Sequence, residues 1–97
     1  MARVIVTPEA IAALDRLIVT HSLPPDTKER FRRSIQSLEM FPRLGRELEG
    51  DGYDGLRFVL GPWRWMLIVY AYDGDADVVA VVTVQDARSS AAATAVR

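Results

Sequence analysis

The run Trp63-Arg64-Trp65-Met66-Leu67-Ile68-Val69-Tyr70-Ala71-Tyr72 most constrains what this chain can fold into. From Trp65 to Tyr72 every residue is apolar or aromatic. Successive residues of a strand point to opposite faces, so a strand apolar at both parities needs cover on both. The run is far shorter than the ~20 residues that span a bilayer. It therefore reads as the central strand of a small sheet.

Neighbours for that strand are legible on both sides. Leu56 to Leu60 reads as a strand broken by Gly61-Pro62, and Val78 to Val84 as the last strand after an Asp73–Asp77 hairpin loop. Near the start, Arg3-Val4-Ile5-Val6 is a β-branched run closed by Thr7-Pro8. Thr7 can cap a helix, Pro8 suits its first position and Glu9 its positive dipole end. Ile11, Leu14, Leu17 and Ile18 then recur at helical spacing, which predicts a helix from Pro8 to Thr20. Pro24-Pro25 stops it. Asp26 with Glu29 three residues on forms a capping-box pattern for a second helix, whose apolar stripe is Phe31, Ile35 and Leu38. A short connection makes the two helices an antiparallel pair. Arg43 to Gly55 reads as a loop of about a dozen residues, a length often tied to function.

The expected class is α+β with the order β-α-α-β-β-β, two antiparallel N-terminal helices packed on a small, curved, mostly antiparallel sheet. Ninety-seven residues suit one core. The domain is placed at residues 1–88, and residues 89–97 form an Ala/Ser-rich tail.

Composition excludes several chemistries. With no Cys there is no disulfide framework, thiolate nucleophile or Cys-ligated zinc, and one His leaves no His-pair metal motif. No metal and no small-molecule cofactor is expected, since no Gly-rich phosphate loop is present. The apolar start is too short for a secretory segment, so a cytoplasmic protein without membrane contact is expected. The net charge of −1 hides an asymmetry. Residues 28–46 hold six Lys/Arg against two Asp/Glu, and residues 47–77 hold two against seven. A basic and an acidic patch can therefore coexist.

Candidate chemistry centres on arginines. Arg64 is a single charge inside the apolar run, and such a group needs water, a carboxylate or a ligand. If the strands pair tightly across Gly61-Pro62, Arg57 falls opposite Arg64. Like charges so placed call for an anion between them or neutralisation by Asp51 or Asp54. Arg46 and Arg88 flank the same half of the chain. His21, at the end of the first helix, reads as structural, because nothing near it in sequence supports catalysis.

Several segments together resemble a known family. Thr7-Pro8-Glu9-Ala10, Phe41-Pro42-Arg43-Leu44-Gly45-Arg46, Leu56-Arg57, Gly61-Pro62-Trp63-Arg64 and Val84-Gln85-Asp86-Ala87-Arg88 occur in the order seen in ParE/RelE-type toxins of bacterial type II toxin–antitoxin modules. The resemblance spans about Val4 to Arg88. It implies two helices on a curved antiparallel sheet, and neutralisation by an antitoxin whose C-terminal segment wraps the toxin.

It also implies two branches. RelE-like members cleave mRNA on the ribosome with basic residues on the sheet and often a C-terminal Tyr or His. By that resemblance Arg57, Arg64 and Arg88 would be the catalytic candidates. ParE-like members inhibit DNA gyrase by binding and lack that set. Here the basic residues expected before Arg57 are absent, Asp54 has the wrong sign, and no Tyr or His follows Arg88. Phosphate contacts dominate RNA affinity, and this charge balance supplies little positive field. The expectation is a ParE-like toxin with an antitoxin and DNA gyrase as partners. The alternatives are a ribosome-dependent mRNA endoribonuclease and a non-catalytic binding module of the same fold. The residues expected to meet antitoxin or target are Arg46, Arg57, Trp63, Arg64, Trp65 and Arg88.

Overall fold

The computed structural model describes residues 1–50 and 52–88; the expected tail at 89–97, and Asp51, lie outside the described residues. The elements are β1 (Arg3–Val6), α1 (Pro8–Thr20), α2 (Thr27–Gln36) running into one 3₁₀ turn (Ser37–Glu39), β2 (Arg46–Glu47), β3 (Leu56–Leu60), β4 (Met66–Asp73) and β5 (Val78–Asp86). The sheet order is β1-β5-β4-β3-β2. Only β1 and β5 pair in parallel; the other neighbours are antiparallel. The expected α+β order is present, with one short strand, β2, added inside the segment read as loop.

Thr7 ties α1 to the sheet. Its Oγ1 accepts from the Ala10 N–H at 3.2 Å, capping the helix, and donates to the Val81 carbonyl at 2.8 Å. Asp26 does not cap α2 in the expected way. Its backbone sits at φ −89°, ψ 13°, and no side-chain cap bond forms. That differs from the extended backbone from which a capping side chain reaches back. The Asp26 carboxylate instead accepts from Arg30 Nε at 2.9 Å.

The β4 run is covered on both faces, as its composition requires. Met66, Ile68 and Tyr70 point to the helices and join Ala10, Leu14, Phe31, Ile35, Leu38, Val79, Val81 and Val84 in the main core. Val69 points the other way and packs with Leu48, beneath Tyr53, Leu56, Phe58 and Val82. The segment after β2 thus folds over the second face. Tyr70 is fully buried, and its Oη accepts from the Gly45 N–H at 2.8 Å. Gly45 has no room for a side chain: an added Cβ would lie 2.6 Å from Tyr70 Oη and 2.7 Å from the Phe58 carbonyl oxygen.

The β4–β5 ladder contains a bulge. Val69 pairs with Thr83 and Tyr70 with Val81, so Val82 is the extra residue. An extra residue inverts the alternation beyond it. Val79 and Val81 face the helices before the bulge; beyond it the inward positions are Val84 and Asp86, opposite Ile68 and Met66.

Candidate functional site

The expected pairing of Arg57 with Arg64 does not occur. Arg57 lies opposite Tyr70, and Leu60 opposite Leu67, so Gly61–Trp65 is a loop and β4 starts at Met66 rather than Trp63. The Gly61 N–H donates to the Met66 carbonyl at 2.8 Å and the Met66 N–H to the Trp63 carbonyl at 3.0 Å. The loop is wider than the two-residue turn expected at Gly61-Pro62, which shifts the whole register. Arg64 therefore stands exposed on a turn instead of inside a sheet.

Arg57 is held by three groups. Its Nη1 donates to the Gly45 carbonyl at 2.8 Å and, longer, to the Arg43 carbonyl at 3.4 Å. Its Nη2 donates to Glu47 Oε1 at 3.0 Å. Glu47 is its cross-strand neighbour on β2. The neutralising carboxylate is thus Glu47, not Asp54. Arg43 lies over the Tyr72 ring at 4.9 Å, and the Tyr72 hydroxyl donates to Asp77 Oδ1 at 2.7 Å. The Asp77 carboxylate raises the Tyr72 phenol above its ordinary value.

At the far end of the sheet, Trp63, Trp65 and Arg88 meet a second network. Asp86, turned inward by the bulge, accepts from His21 Nε2 at 2.9 Å on α1. It also accepts from Arg88 Nε and Nη2, both at 3.0 Å, and from the Arg88 backbone N–H at 2.8 Å. The Arg88 side chain above all, then its backbone N–H and His21, hold the Asp86 carboxyl far below the ordinary carboxylate range, against the desolvation that would raise it. The same carboxylate raises Arg88 further.

Aromatic stacking closes the network. The His21 ring lies on Trp65 at 4.5 Å and 13°, and Trp65 on Trp63 at 6.1 Å and 19°. Arg88 sits over Trp65 at 5.0 Å and Arg30 over Trp63 at 5.8 Å. His21 Nδ1 lies 2.9 Å from Thr20 Oγ1, so both ring nitrogens are engaged. Glu47, Arg30 and the contact between His21 and Asp86 are what sequence reasoning missed here. Asp86 carried a signal, standing two residues before Arg88. His21 carried none, because its partner is distant in the chain.

Arg46 and Arg64 are placed differently from Arg57 and Arg88. Among the described residues neither forms an ion pair, whereas Glu47 pairs with Arg57 and Asp86 with Arg88. Both line a shallow groove of about 460 Å³ with Leu44, Phe58, Leu60 and Leu67. Leu44 is 58% exposed and Leu60 50% exposed. An apolar floor with unpaired cations at its edge suits an acidic, amphipathic segment. Among the described residues no group of His, Asp or Glu is arranged to hold a metal ion, and no helix is long and apolar enough to cross a membrane.

Comparisons with known proteins bear on this arrangement. The family model described as ParE toxin of type II toxin-antitoxin system, parDE, matches residues 4–90. A comparison with curated protein sequences gives no significant match. Solved structures share the fold, among them the following three. A chain of the RelBE2 toxin–antitoxin complex from Mycobacterium tuberculosis aligns at TM-score 0.63 and 21% identity, covering 88% of this chain and 96% of that one. A chain of the intact E. coli RelBE complex aligns at TM-score 0.64 and 15% identity, covering 92% and 100%. The isolated E. coli RelE toxin aligns at TM-score 0.62 and 18% identity, covering 99% and 96%. At such identities the likeness speaks to the fold.

Proposed function

The chain belongs to the ParE toxin family of type II toxin–antitoxin systems, and from that premise we propose that it acts by binding, as a cytoplasmic toxin directed at DNA gyrase and held inactive by a cognate antitoxin. One observation carries the choice of binding over RNA cleavage: Arg57 and Arg88 are already occupied by carboxylates, Glu47 and Asp86. A guanidinium that stabilises a phosphoryl transition state must present its donors to the phosphate. Arg57 directs its two terminal nitrogens at Glu47 and backbone carbonyls, and Arg88 directs Nε and Nη2 at Asp86.

One feature favours the RNA-cleaving alternative. The fold brings His21 to Asp86 beside Arg88, and a His there would serve proton transfer. Both of its nitrogens are engaged and its ring is stacked on Trp65, which supports a structural role. The net charge of −1 points the same way.

The antitoxin is assigned to the Arg46/Arg64 groove, as a segment rich in Asp/Glu and Leu. The relatives in solved complexes are RelBE toxin–antitoxin assemblies. The test is direct: the purified chain is assayed for gyrase supercoiling and for translation-dependent mRNA cleavage, with and without co-purified antitoxin. Supercoiling inhibition without cleavage, relieved by antitoxin, is expected. Cleavage that disappears in Arg64→Ala or Arg88→Ala overturns the proposal.

A further inference from the structure

We infer that Glu47 and Asp86 are specificity-determining counter-charges that close the two paired arginines of this sheet to the phosphodiester backbone of single-stranded RNA. The inference rests on the binding reading above and names the residues responsible for it.

At both sites guanidinium donors are already committed, though by different edges. A phosphate recognised by arginine takes two parallel N–H donors from one edge of the guanidinium. At Arg88 that edge, Nε and Nη2, is filled by the two oxygens of Asp86, each at 3.0 Å. At Arg57 the Nη2 donor goes to Glu47 at 3.0 Å and Nη1 to the Gly45 carbonyl at 2.8 Å. The surrounding charges do not leave a positive surplus near Arg57. Its cavity is lined by Arg43 and Arg57 on one side of the balance and Glu47 and Asp54 on the other. A polyanion arriving there meets a carboxylate for every guanidinium. Binding would require breaking an ion pair and leaving Glu47 or Asp86 facing a phosphate, a like-charge contact.

The two carboxylates differ in what else they do. Asp86 also anchors His21, so its loss affects the fold. The Glu47 side chain is 74% exposed and among the described residues bonds Arg57 alone, so Glu47→Gln leaves the framework in place.

The test measures binding of a short single-stranded RNA to the full chain across a salt series, with thermal melting to certify folding. The wild type binds weakly, and Arg57→Ala or Arg88→Ala changes its affinity less than about twofold. Glu47→Gln alone gains affinity, and Glu47→Gln/Asp86→Asn gains at least about tenfold. Each freed arginine steepens the dependence of log K on log salt by about 0.7, the value for one phosphate contact on a single strand. Adding Arg57→Ala or Arg88→Ala to the double variant reverses that arginine's share of the gain. The inference is overturned if wild-type RNA binding already depends on Arg57 or Arg88, or if folded Glu47→Gln and the double variant gain nothing. Cleavage of translated mRNA by the wild type defeats the functional proposal instead. An absence of cleavage together with no gain in RNA affinity defeats only this inference.

Discussion

His21 and Asp86 lie 65 residues apart in the chain, yet His21 Nε2 and Asp86 Oδ2 are 2.9 Å apart in the fold. The contact joins the end of α1 to the end of β5 and depends on the Val82 bulge. Were Val82 paired regularly opposite Val69, Gln85 and not Asp86 would stand opposite Met66 on the inward face. Deleting Val82 would leave Thr83 to Asp86 on their present partners, whereas one alanine inserted between Val84 and Gln85 moves Gln85 opposite Met66 and Asp86 off the inward face, and is expected to destabilise the protein by about 2–4 kcal/mol in urea unfolding. An alanine at position 82, which keeps the chain length, should cost no more than about 1–2 kcal/mol. Equal effects from the insertion and the alanine substitution would show that the register beyond the bulge is not what aims Asp86.

The carboxylate itself has a pH signature. Asp86 titrates lower in the folded chain than in the unfolded one, chiefly because of Arg88. Its stabilisation is therefore complete above the ordinary carboxylate range, near pH 4, and is lost as pH falls through its folded-state value. Asp86→Asn should cost about 1–3 kcal/mol at pH 7, as expected for a hydrogen bond to a charged group. The cost should shrink as the medium is made more acidic. Chemical denaturation at pH 7 and pH 3 gives the comparison, and a penalty that grows on acidification contradicts the assignment.

Gly45 offers a steric test. A Cβ there would meet the Phe58 backbone and the buried Tyr70 hydroxyl below 3 Å, and neither can swing away freely. Gly45→Ala should destabilise by about 1–3 kcal/mol. Tyr70→Phe should cost a similar amount for a different reason, since it leaves the buried Gly45 N–H without an acceptor. The two sites are in contact, so the double variant should fall short of the sum. Additive losses in melting experiments would mean that they do not share this contact.

For the groove, Arg64→Ala is expected to weaken antitoxin binding by about 1–3 kcal/mol, with Arg46→Ala acting in the same direction. Arg30→Ala, outside the groove and stacked on Trp63, should leave affinity within about 0.5 kcal/mol. Calorimetric titration at two salt concentrations reads both the loss and its electrostatic origin. Unchanged affinity in Arg64→Ala removes the groove from the antitoxin interface.

Much of this fold was legible from local rules. Pro8 to Thr20 is helical as its cap, proline and spacing predict, and the doubly apolar run became a strand buried on both faces. Those signals act within a few residues, where backbone preference and apolar periodicity are both written in the chain. The order of elements and the family resemblance follow from the same information.

The partners of the charged side chains were decided by tertiary structure alone. Arg57 faces Tyr70 rather than Arg64 because the Gly61–Trp65 loop is longer than a tight turn, and a hairpin's register follows its loop. Glu47 reaches Arg57 only because a two-residue strand forms inside a segment that reads as loop. Asp86 reaches His21 only because one extra residue in β5 exchanges its two faces. Register and bulge are set by packing summed over distant segments, which no local pattern records. The sequence by itself determined which elements this protein has and which residues carry charge. Which charges neutralise each other, and which stay free at the groove, was decided when the strands chose their register.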